Sequence, residues 1–279
     1  MADKEILVLG GTGKTGRRVA QHVERRGAVA RAASRSGRVR FDWYDESTWP
    51  AAVEGACAAY IVDSQQLDAV ARMRAFTQFA VPRGVRKLVL LSARGVTAVP
   101  QELNVEGPVR ESGADWTILR PSWFAQGFSE DAYLRDPVIG GELRLPAGDG
   151  RSPFIDAEDI AEVAAVALTE DGHEGQLYEL SGSRSMTFGE AVEEIARATG
   201  RDIRYVPVSG EEYVRLLTGQ GAPAELAEAL ATWMGVVRDG LDAHLSDGVR
   251  RVLGREPRDF TDFVKRTAAV WAAEESAGE

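Results

Sequence analysis

Residues 10–16 read Gly10-Gly11-Thr12-Gly13-Lys14-Thr15-Gly16 and directly follow the apolar run Glu5-Ile6-Leu7-Val8-Leu9. The last three glycines of this segment have the spacing GxGxxG. The spacing is weak evidence by itself, but here a predicted strand precedes it and a helical pattern, Arg17 to Arg26, follows it. In that context one glycine allows a tight turn, one lets a pyrophosphate approach the backbone, and one lets the helix pack closely on the strand. The segment therefore predicts a dinucleotide-binding turn, with a plain glycine-rich turn as the alternative.

Further apolar runs alternate with helical patterns along the first half of the chain, which is typical of repeated βαβ units. The sequence therefore predicts an α/β fold: a Rossmann-type doubly wound parallel sheet with a smaller, mostly helical C-terminal substrate domain. We expect the cofactor domain to span 1–170, with 176–181 returning to the sheet. We expect the substrate region to span 171–279, interleaved with 123–155. The predicted strands are 5–9, 28–34, 39–42, 58–62, 87–91, 116–120, 143–145 and 176–180.

Composition and charge exclude several classes of protein. The 279 residues carry a net charge of −10 without a basic block, which argues against nucleic acid as a partner. No apolar stretch reaches the length of a membrane span, and the single cysteine, Cys57, excludes an internal disulfide. The three histidines do not have metal-ligand spacing, so we expect no metal site. These features predict a cytoplasmic protein, with a homodimer left open.

The end of the second predicted strand bears on the choice of dinucleotide. NAD sites usually place a carboxylate there, whereas NADP sites place a basic group. Here the strand runs into Ser34-Arg35-Ser36, and Arg35 is suited to bind a 2′-phosphate. Asp42 ends the third strand and is placed to reach the adenine amine. The sequence favours NADPH, with NADH as the alternative; Arg35 as a solvated loop residue and Asp42 as a turn residue stay open.

These stretches resemble the NmrA-like, atypical short-chain dehydrogenase/reductases. The most specific piece is Glu111-Ser112-Gly113-Ala114-Asp115-Trp116-Thr117-Ile118-Leu119-Arg120-Pro121, and further pieces are the glycine turn, 84–92, 154–161 and 253–260. The resemblance implies that the ends of strands five and six flank the nicotinamide. The predicted cofactor-binding residues are Gly10, Thr12, Gly13, Lys14, Thr15, Gly16, Arg35, Asp42, Asp63, Ser92, Pro121, Ser122 and Trp123.

Typical short-chain reductases place a Tyr-x-x-x-Lys pair on the helix after strand five, where the tyrosine protonates the carbonyl. The predicted helix 101–111 contains neither residue and carries Glu102, Asn104 and Glu106 instead, which resembles the quinone-reductase branch. A quinone needs a proton donor less urgently, because charge spreads over its conjugated system and positioning can suffice. We therefore predict Ser92 and Asn104 as catalytic polar groups near the reacting carbonyl. The alternative is that they are ordinary helix-surface or strand-end residues.

Aromatic residues follow the sixth strand, and some of them are expected to line a pocket for a flat substrate. The predicted substrate residues are Trp123, Phe124, Gln126, Phe128 and Trp233. The resemblance implies an NAD(P)H-dependent oxidoreductase that transfers hydride to a quinone-like or polycyclic aromatic carbonyl. The arginine-rich composition suggests a GC-rich genome. Together with the resemblance, and by analogy, this suggests a tailoring reductase of aromatic polyketide and antibiotic biosynthesis that acts on a hydroxyanthraquinone-type intermediate. The alternative function is a non-catalytic, NADP(H)-sensing regulator of the NmrA type.

Overall fold

The computed structural model describes residues 4–95 and 104–272. The chain forms two compact units, and neither is continuous in sequence. The first unit comprises Met1–Pro121, Ala157–Leu180 and Ser246–Glu256, within the described residues. The second comprises Ser122–Asp156, Ser181–Leu245 and Pro257–Glu279, with the same restriction. The sequence predicted a first domain of 1–170 to which 176–181 returns, and a second interleaved with 123–155; in the structure, 122–156 belongs to the second unit, and the first also includes 171–180 and 246–256.

A seven-stranded sheet forms the centre of the first unit, and all six pairings between neighbouring strands are parallel. The strand order is β3-β2-β1-β4-β5-β6-β9. The order reverses between β1 and β4, which is the point where doubly wound sheets bind ligands. The predicted doubly wound parallel sheet is therefore confirmed. Its strands are β1 (Glu5–Leu9), β2 (Val29–Ser34), β3 (Val39–Arg40), β4 (Ala58–Ile61), β5 (Lys87–Leu91), β6 (Asp115–Pro121) and β9 (Gln176–Leu180).

Helices cover the sheet because its strands are apolar on both faces. One set comprises α1 (Gly16–Arg25), α7 (Ala157–Thr169) and α11 (Gly248–Leu253), in which α7 packs against both others. The other set supplies Trp49, Phe76 and Val109 to a buried cluster with the strand residues Leu7 and Leu9. Alternate residues of β1 thus serve opposite faces of the sheet. This second set comprises α2 (Trp49–Val53), α3 (Ala69–Ala80) and α4 (Glu106–Arg110).

The late segment 246–256 belongs to the sheet unit because it packs directly on β9. Ser246 Oγ donates a hydrogen bond to the carbonyl oxygen of Glu179 at 2.8 Å. A side chain at Gly248 would overlap that same carbonyl oxygen and lie 2.9 Å from Leu180. The absence of a side chain at Gly248 lets α11 approach the edge strand closely.

The second unit is mostly helical and is built on a core of aromatic side chains. Phe128 and Phe154 contact each other, and each also contacts Phe188 and Phe260, with ring centroids 5.0–5.7 Å apart. It also contains two small sheets, β7 with β11 in parallel and β8 with β10 in antiparallel orientation. Its strands are β7 (Glu142–Leu145), β8 (Arg151–Ser152), β10 (Met186–Thr187) and β11 (Arg204–Pro207). Its helices are α5 (Gly127–Glu130), α6 (Ala132–Ile139), α8 (Phe188–Thr199), α9 (Gly210–Gly219), α10 (Ala224–Arg238) and α12 (Phe260–Thr267).

Candidate cofactor site and its polar network

The glycine turn connects β1 to α1, and glycine is favoured by the backbone conformation at one of its positions and by lack of room for a side chain at two others. Gly10 has φ of +66°, a conformation that glycine adopts without strain. A Cβ on Gly11 would lie 2.7 Å from the Cβ of Ala32, and one on Gly16 would overlap the Gly10 carbonyl oxygen. The Gly13 N–H closes the turn by donating to that oxygen at 2.8 Å. The turn thus requires glycine for close approach, as a pyrophosphate-binding turn does.

The N-terminus of α1 has the electrostatics of an anion site. The helix carries no acidic residue in its first turn, and the side chain of Thr15, which precedes it, makes no capping hydrogen bond. Backbone N–H groups and the positive end of the helix dipole therefore face the turn without a competing carboxylate. Thr12 and Lys14 lie in the same turn, the first exposed and the second half-buried.

The end of β2 offers two polar groups for a cofactor. Ser34 is buried, and its Oγ has no hydrogen-bond partner among the residues that the structure describes. A Cβ on Gly37 would lie 2.6 Å from this Oγ, so position 37 requires glycine. Arg35 is exposed next to it. A buried hydroxyl without a partner is costly, so a bound acceptor or donor there would be stabilising.

Two aspartates follow strands β3 and β4, which are not adjacent in the sheet. Asp42 is engaged in its own turn, where its Oδ1 accepts from the N–H of Tyr44 at 3.0 Å and its carbonyl accepts from Trp49 Nε1 at 2.9 Å. This is the turn role that the sequence left open. Asp63 follows β4, and burial raises its pKa even though the N–H of Gln65 partly offsets the effect. Gln65 has φ of +56°, so this loop holds a non-glycine residue in the left-handed region.

Ser92 is fixed at the end of β5 by two hydrogen bonds. Its N–H donates to the carbonyl of Leu119 at 2.8 Å, and its Oγ donates to Glu106 Oε1 at 2.8 Å. The Glu106 carboxylate also accepts hydrogen bonds from Arg120 Nε and Nη2, both at 2.7 Å, and from Arg110 Nη2 at 3.2 Å. The strand ends of β5 and β6 and the first turn of α4 are thereby joined through one carboxylate.

The charge state of Glu106 follows from these contacts. The residue is 2% exposed, and burial alone would favour its neutral form. The hydrogen bonds from Arg120 and Ser92 and the charge of Arg120 outweigh burial and hold the pKa of Glu106 below its usual value. The hydrogen bond with Glu106 in turn raises the pKa of Arg120. Glu106 is therefore a carboxylate that cannot serve as a proton donor near neutral pH.

Asn104 belongs to the same region, where its Oδ1 accepts from the N–H of Glu106 at 2.9 Å. The two predicted catalytic residues thus both contact Glu106, Ser92 through the carboxylate and Asn104 through the backbone N–H. Sequence reasoning noted Glu106 only as an acid on the helix and missed its partner Arg120. The remaining predicted helix positions 101–103, which include Glu102, lie outside the described residues.

The residues predicted after strand six have diverse environments. Pro121 ends β6, and its carbonyl accepts from the N–H of Arg94 at 3.2 Å. In the second unit, Ser122 is buried and its hydroxyl donates to the carbonyl of Pro153 at 2.6 Å. Trp123 and Phe124 are half-buried, and Trp123 packs edge-on against Phe188 at 6.3 Å.

Two of the predicted substrate residues are interior residues of the second unit. Phe128 is completely buried in the aromatic core, and its carbonyl accepts from Trp271 Nε1 at 2.7 Å. Gln126 is 2% exposed and donates to Asp156 Oδ1 at 2.7 Å. Their observed contacts are structural, so neither lines an open surface. Trp233, in contrast, is 56% exposed on α10.

No group of three or more histidine, cysteine, aspartate or glutamate side chains within residues 4–95 and 104–272 is arranged to hold a metal ion. Among the described helices, none is long and apolar enough to cross a membrane.

Comparison with known proteins identifies the family. Residues 2–264 match the model of the NmrA-like family. The NAD(P)H azoreductase of Xenophilus azovorans is 32% identical over 96% of this chain and 99% of its own, and the agroclavine dehydrogenase of Claviceps fusiformis is 31% identical over 95% and 98%. An NADPH-dependent quinone oxidoreductase of Escherichia coli, solved with NADPH, has a similar fold, with a TM-score of 0.78, 21% identity, and coverage of 94% and 98%. The chain belongs to the NmrA-like family.

Proposed function

We propose that this protein is an NADPH-dependent reductase that transfers hydride to a quinone-like or polycyclic aromatic carbonyl. The glycine turn carries the proposal, because it joins β1 to α1 as a pyrophosphate-binding turn does, and its glycines at 11 and 16 allow the close packing that such a turn needs. The Ser34 hydroxyl and the Arg35 guanidinium at the end of β2 suit a 2′-phosphate, which favours NADPH over NADH. Reduced nicotinamide would supply the hydride. The names of the relatives, an NAD(P)H azoreductase and a dehydrogenase, agree with a redox reaction.

The residues at the end of β5 favour an acceptor that needs little help from a general acid. Between Ser92 and Trp116 the sequence contains no tyrosine, lysine or histidine. Ser92 already donates its proton to Glu106, which is itself ionised. A quinone or another extended conjugated carbonyl tolerates this arrangement, since its reduced oxygen is weakly basic. The role proposed for Ser92 and Asn104 is to position groups near the nicotinamide.

For the substrate, we infer a flat polycyclic quinone, of which a hydroxyanthraquinone-type intermediate of aromatic polyketide biosynthesis is one example. Trp123 and Phe124 remain the candidate aromatic contacts, since Phe128 and Gln126 are committed to the core. A non-catalytic NADP(H)-sensing regulator is the competing function. It is less favoured because the relatives above are named for reductase or dehydrogenase activity.

The test is NADPH oxidation, followed by absorbance, against naphthoquinones, anthraquinones and azo dyes. We expect turnover with at least one quinone. Tight binding of reduced and oxidised cofactor without turnover of any acceptor would refute the enzyme and favour the regulator.

Cofactor choice is tested with Arg35→Asp and, as a matched control, Arg38→Asp in the same exposed loop. The Arg35 variant should bind NADPH at least about tenfold more weakly, because a charge-assisted contact to phosphate is lost. Its affinity for NADH should be nearly unchanged. Equal losses for the two cofactors, or equal effects of the two variants, would refute the 2′-phosphate role.

A further inference from the structure

The hydroxyl of Ser92 is restricted in a way that the proposed reaction does not require. A serine hydroxyl has one proton to donate and two lone pairs that accept. The proton of Ser92 is directed to Glu106 Oε1 at 2.8 Å. Ser92 is half-buried, and no residue in the described ranges 4–95 and 104–272 donates to its Oγ. The accepting side of this oxygen is therefore available to a ligand.

Glu106 is held in place by Arg120 in addition to its hydrogen bond with Ser92. Arg120 contacts both carboxylate oxygens, one through Nε and one through Nη2, each at 2.7 Å. Such a two-point contact fixes the plane of the carboxylate as well as its position. Because an ionised carboxylate only accepts, Ser92 cannot reverse the hydrogen bond between them.

The N–H of Ser92 is engaged as well, so the serine cannot turn away as a unit. It donates to Leu119 on the neighbouring strand at 2.8 Å. The depressed pKa of Glu106 means that this arrangement persists through the neutral range and below it. The Ser92 oxygen is thus presented as an acceptor at all pH values where the protein would work.

We propose that Glu106 is a positioning residue that makes Ser92 an obligate hydrogen-bond acceptor, so that the aromatic ligand meeting Ser92 carries an O–H or N–H donor. The proposal rests on the proposed function and narrows its substrate class to hydroxyl- or amino-substituted aromatic acceptors. A methyl ether or an unsubstituted ring at that point would leave the oxygen of Ser92 without a partner.

Binding of two non-reducible ligands tests this without turnover. Naphthalen-2-ol carries the donor, and 2-methoxynaphthalene has the same rings with the donor removed. Each is titrated calorimetrically into the full-length protein saturated with NADP⁺. We expect the wild-type protein to prefer the naphthol by about 2- to 10-fold, the worth of one neutral hydrogen bond.

The variants separate positioning from a general structural effect. Ser92→Ala should abolish the preference, and Ser92→Thr, which keeps a hydroxyl, should restore it. Glu106→Gln presents an amide that can donate to Ser92, so the serine can then donate to the ether and the preference should fall. Thermal unfolding checks that each variant is folded. If Glu106→Gln does not fold, Ser92→Ala still tests whether the oxygen of Ser92 is the acceptor that causes the preference.

Several results would overturn the proposal. They are equal affinities in the wild-type protein, a preference that survives Ser92→Ala, and failure of both ligands to bind a protein that oxidises NADPH with quinones. Failure of the proposed function looks different, because then no quinone is reduced at all.

Discussion

Replacing Arg120 by methionine should expose how strongly the buried carboxylate of Glu106 depends on its partner. Glu106 would remain 2% exposed while losing both contacts at 2.7 Å. Breaking a buried ion pair from one side costs about 3–5 kcal/mol of unfolding free energy. Arg110 stays at 3.2 Å but is more exposed than Arg120, which places the expected loss near the lower end, ~3 kcal/mol at neutral pH.

The loss should depend on pH with a definite sign. In the wild-type protein the pKa of Glu106 is lowered, so its stabilising contribution is present above the ordinary pKa of a glutamate and is lost as pH falls through the folded value. Without Arg120, burial dominates and raises the pKa of Glu106 above that of the unfolded chain. The variant then gains relative stability on acidification. The difference in unfolding free energy between wild type and variant should therefore decrease from neutral pH toward about pH 4.

Urea unfolding at both pH values, followed by circular dichroism, measures this gap. Arg74→Met is the matched control, because the pair Arg74–Glu111 in the same unit is largely exposed and should contribute less than about 1 kcal/mol. A double variant, Glu106→Leu with Arg120→Met, should recover much of the loss, since no buried charge remains. A gap that does not change with pH, or a double variant no more stable than Arg120→Met, would refute the reasoning.

Three further predictions concern other parts of the chain. Gly16→Ala should cost about 1–3 kcal/mol and impair NADPH binding, because the new Cβ overlaps a carbonyl of its own turn; unchanged melting and affinity would contradict this. Phe128→Ala should cost about 3–5 kcal/mol in chemical unfolding, whereas Trp233→Ala, at an exposed site, should cost less than about 0.5; similar values would contradict the assignment of Phe128 to the core. Glu158, whose pKa is lowered to about 2 chiefly by its hydrogen bond with His22, should stabilise the fold above the ordinary pKa of a glutamate and lose that effect as pH falls to 2. Glu158→Gln should then be destabilised at neutral pH and match wild type near pH 2, as acid titration of the melting temperature would show.

The sheet could be predicted from the sequence because its strands are buried on both faces and appear as continuous apolar runs. The predicted bounds of β5 and β9 coincide with the observed ones, Lys87–Leu91 and Gln176–Leu180. The small sheets of the second unit were largely missed, since strands of two to four residues carry too little periodicity. The association of α11 with β9 depends on a close backbone approach at Gly248, which local sequence does not report.

The candidate site also has parts that the sequence could predict and parts that it could not. The glycine turn could be predicted because its geometry is dictated by consecutive residues. The ion pair between Glu106 and Arg120 could not, because it joins a helix to a strand end through tertiary packing. Phe128 and Gln126 illustrate the opposite failure, since an aromatic or amide near a strand end has the same local pattern in a core as in a pocket. Only the packing partners, such as Asp156 for Gln126, distinguish the two.

The discontinuity of the two units has a consequence for synthesis of the chain on the ribosome. The peptide passes from one unit to the other at 121, 156, 180, 245 and 256. The edge strand β9 and the helix α11 that covers it are translated long after the glycine turn has emerged. All seven strands of the sheet have been made by Leu180, but the helix that covers β9 ends only at Leu253, although domains usually fold in order from the N-terminus. The nascent chain therefore carries a sheet whose edge strand stays uncovered until the last quarter of the protein emerges.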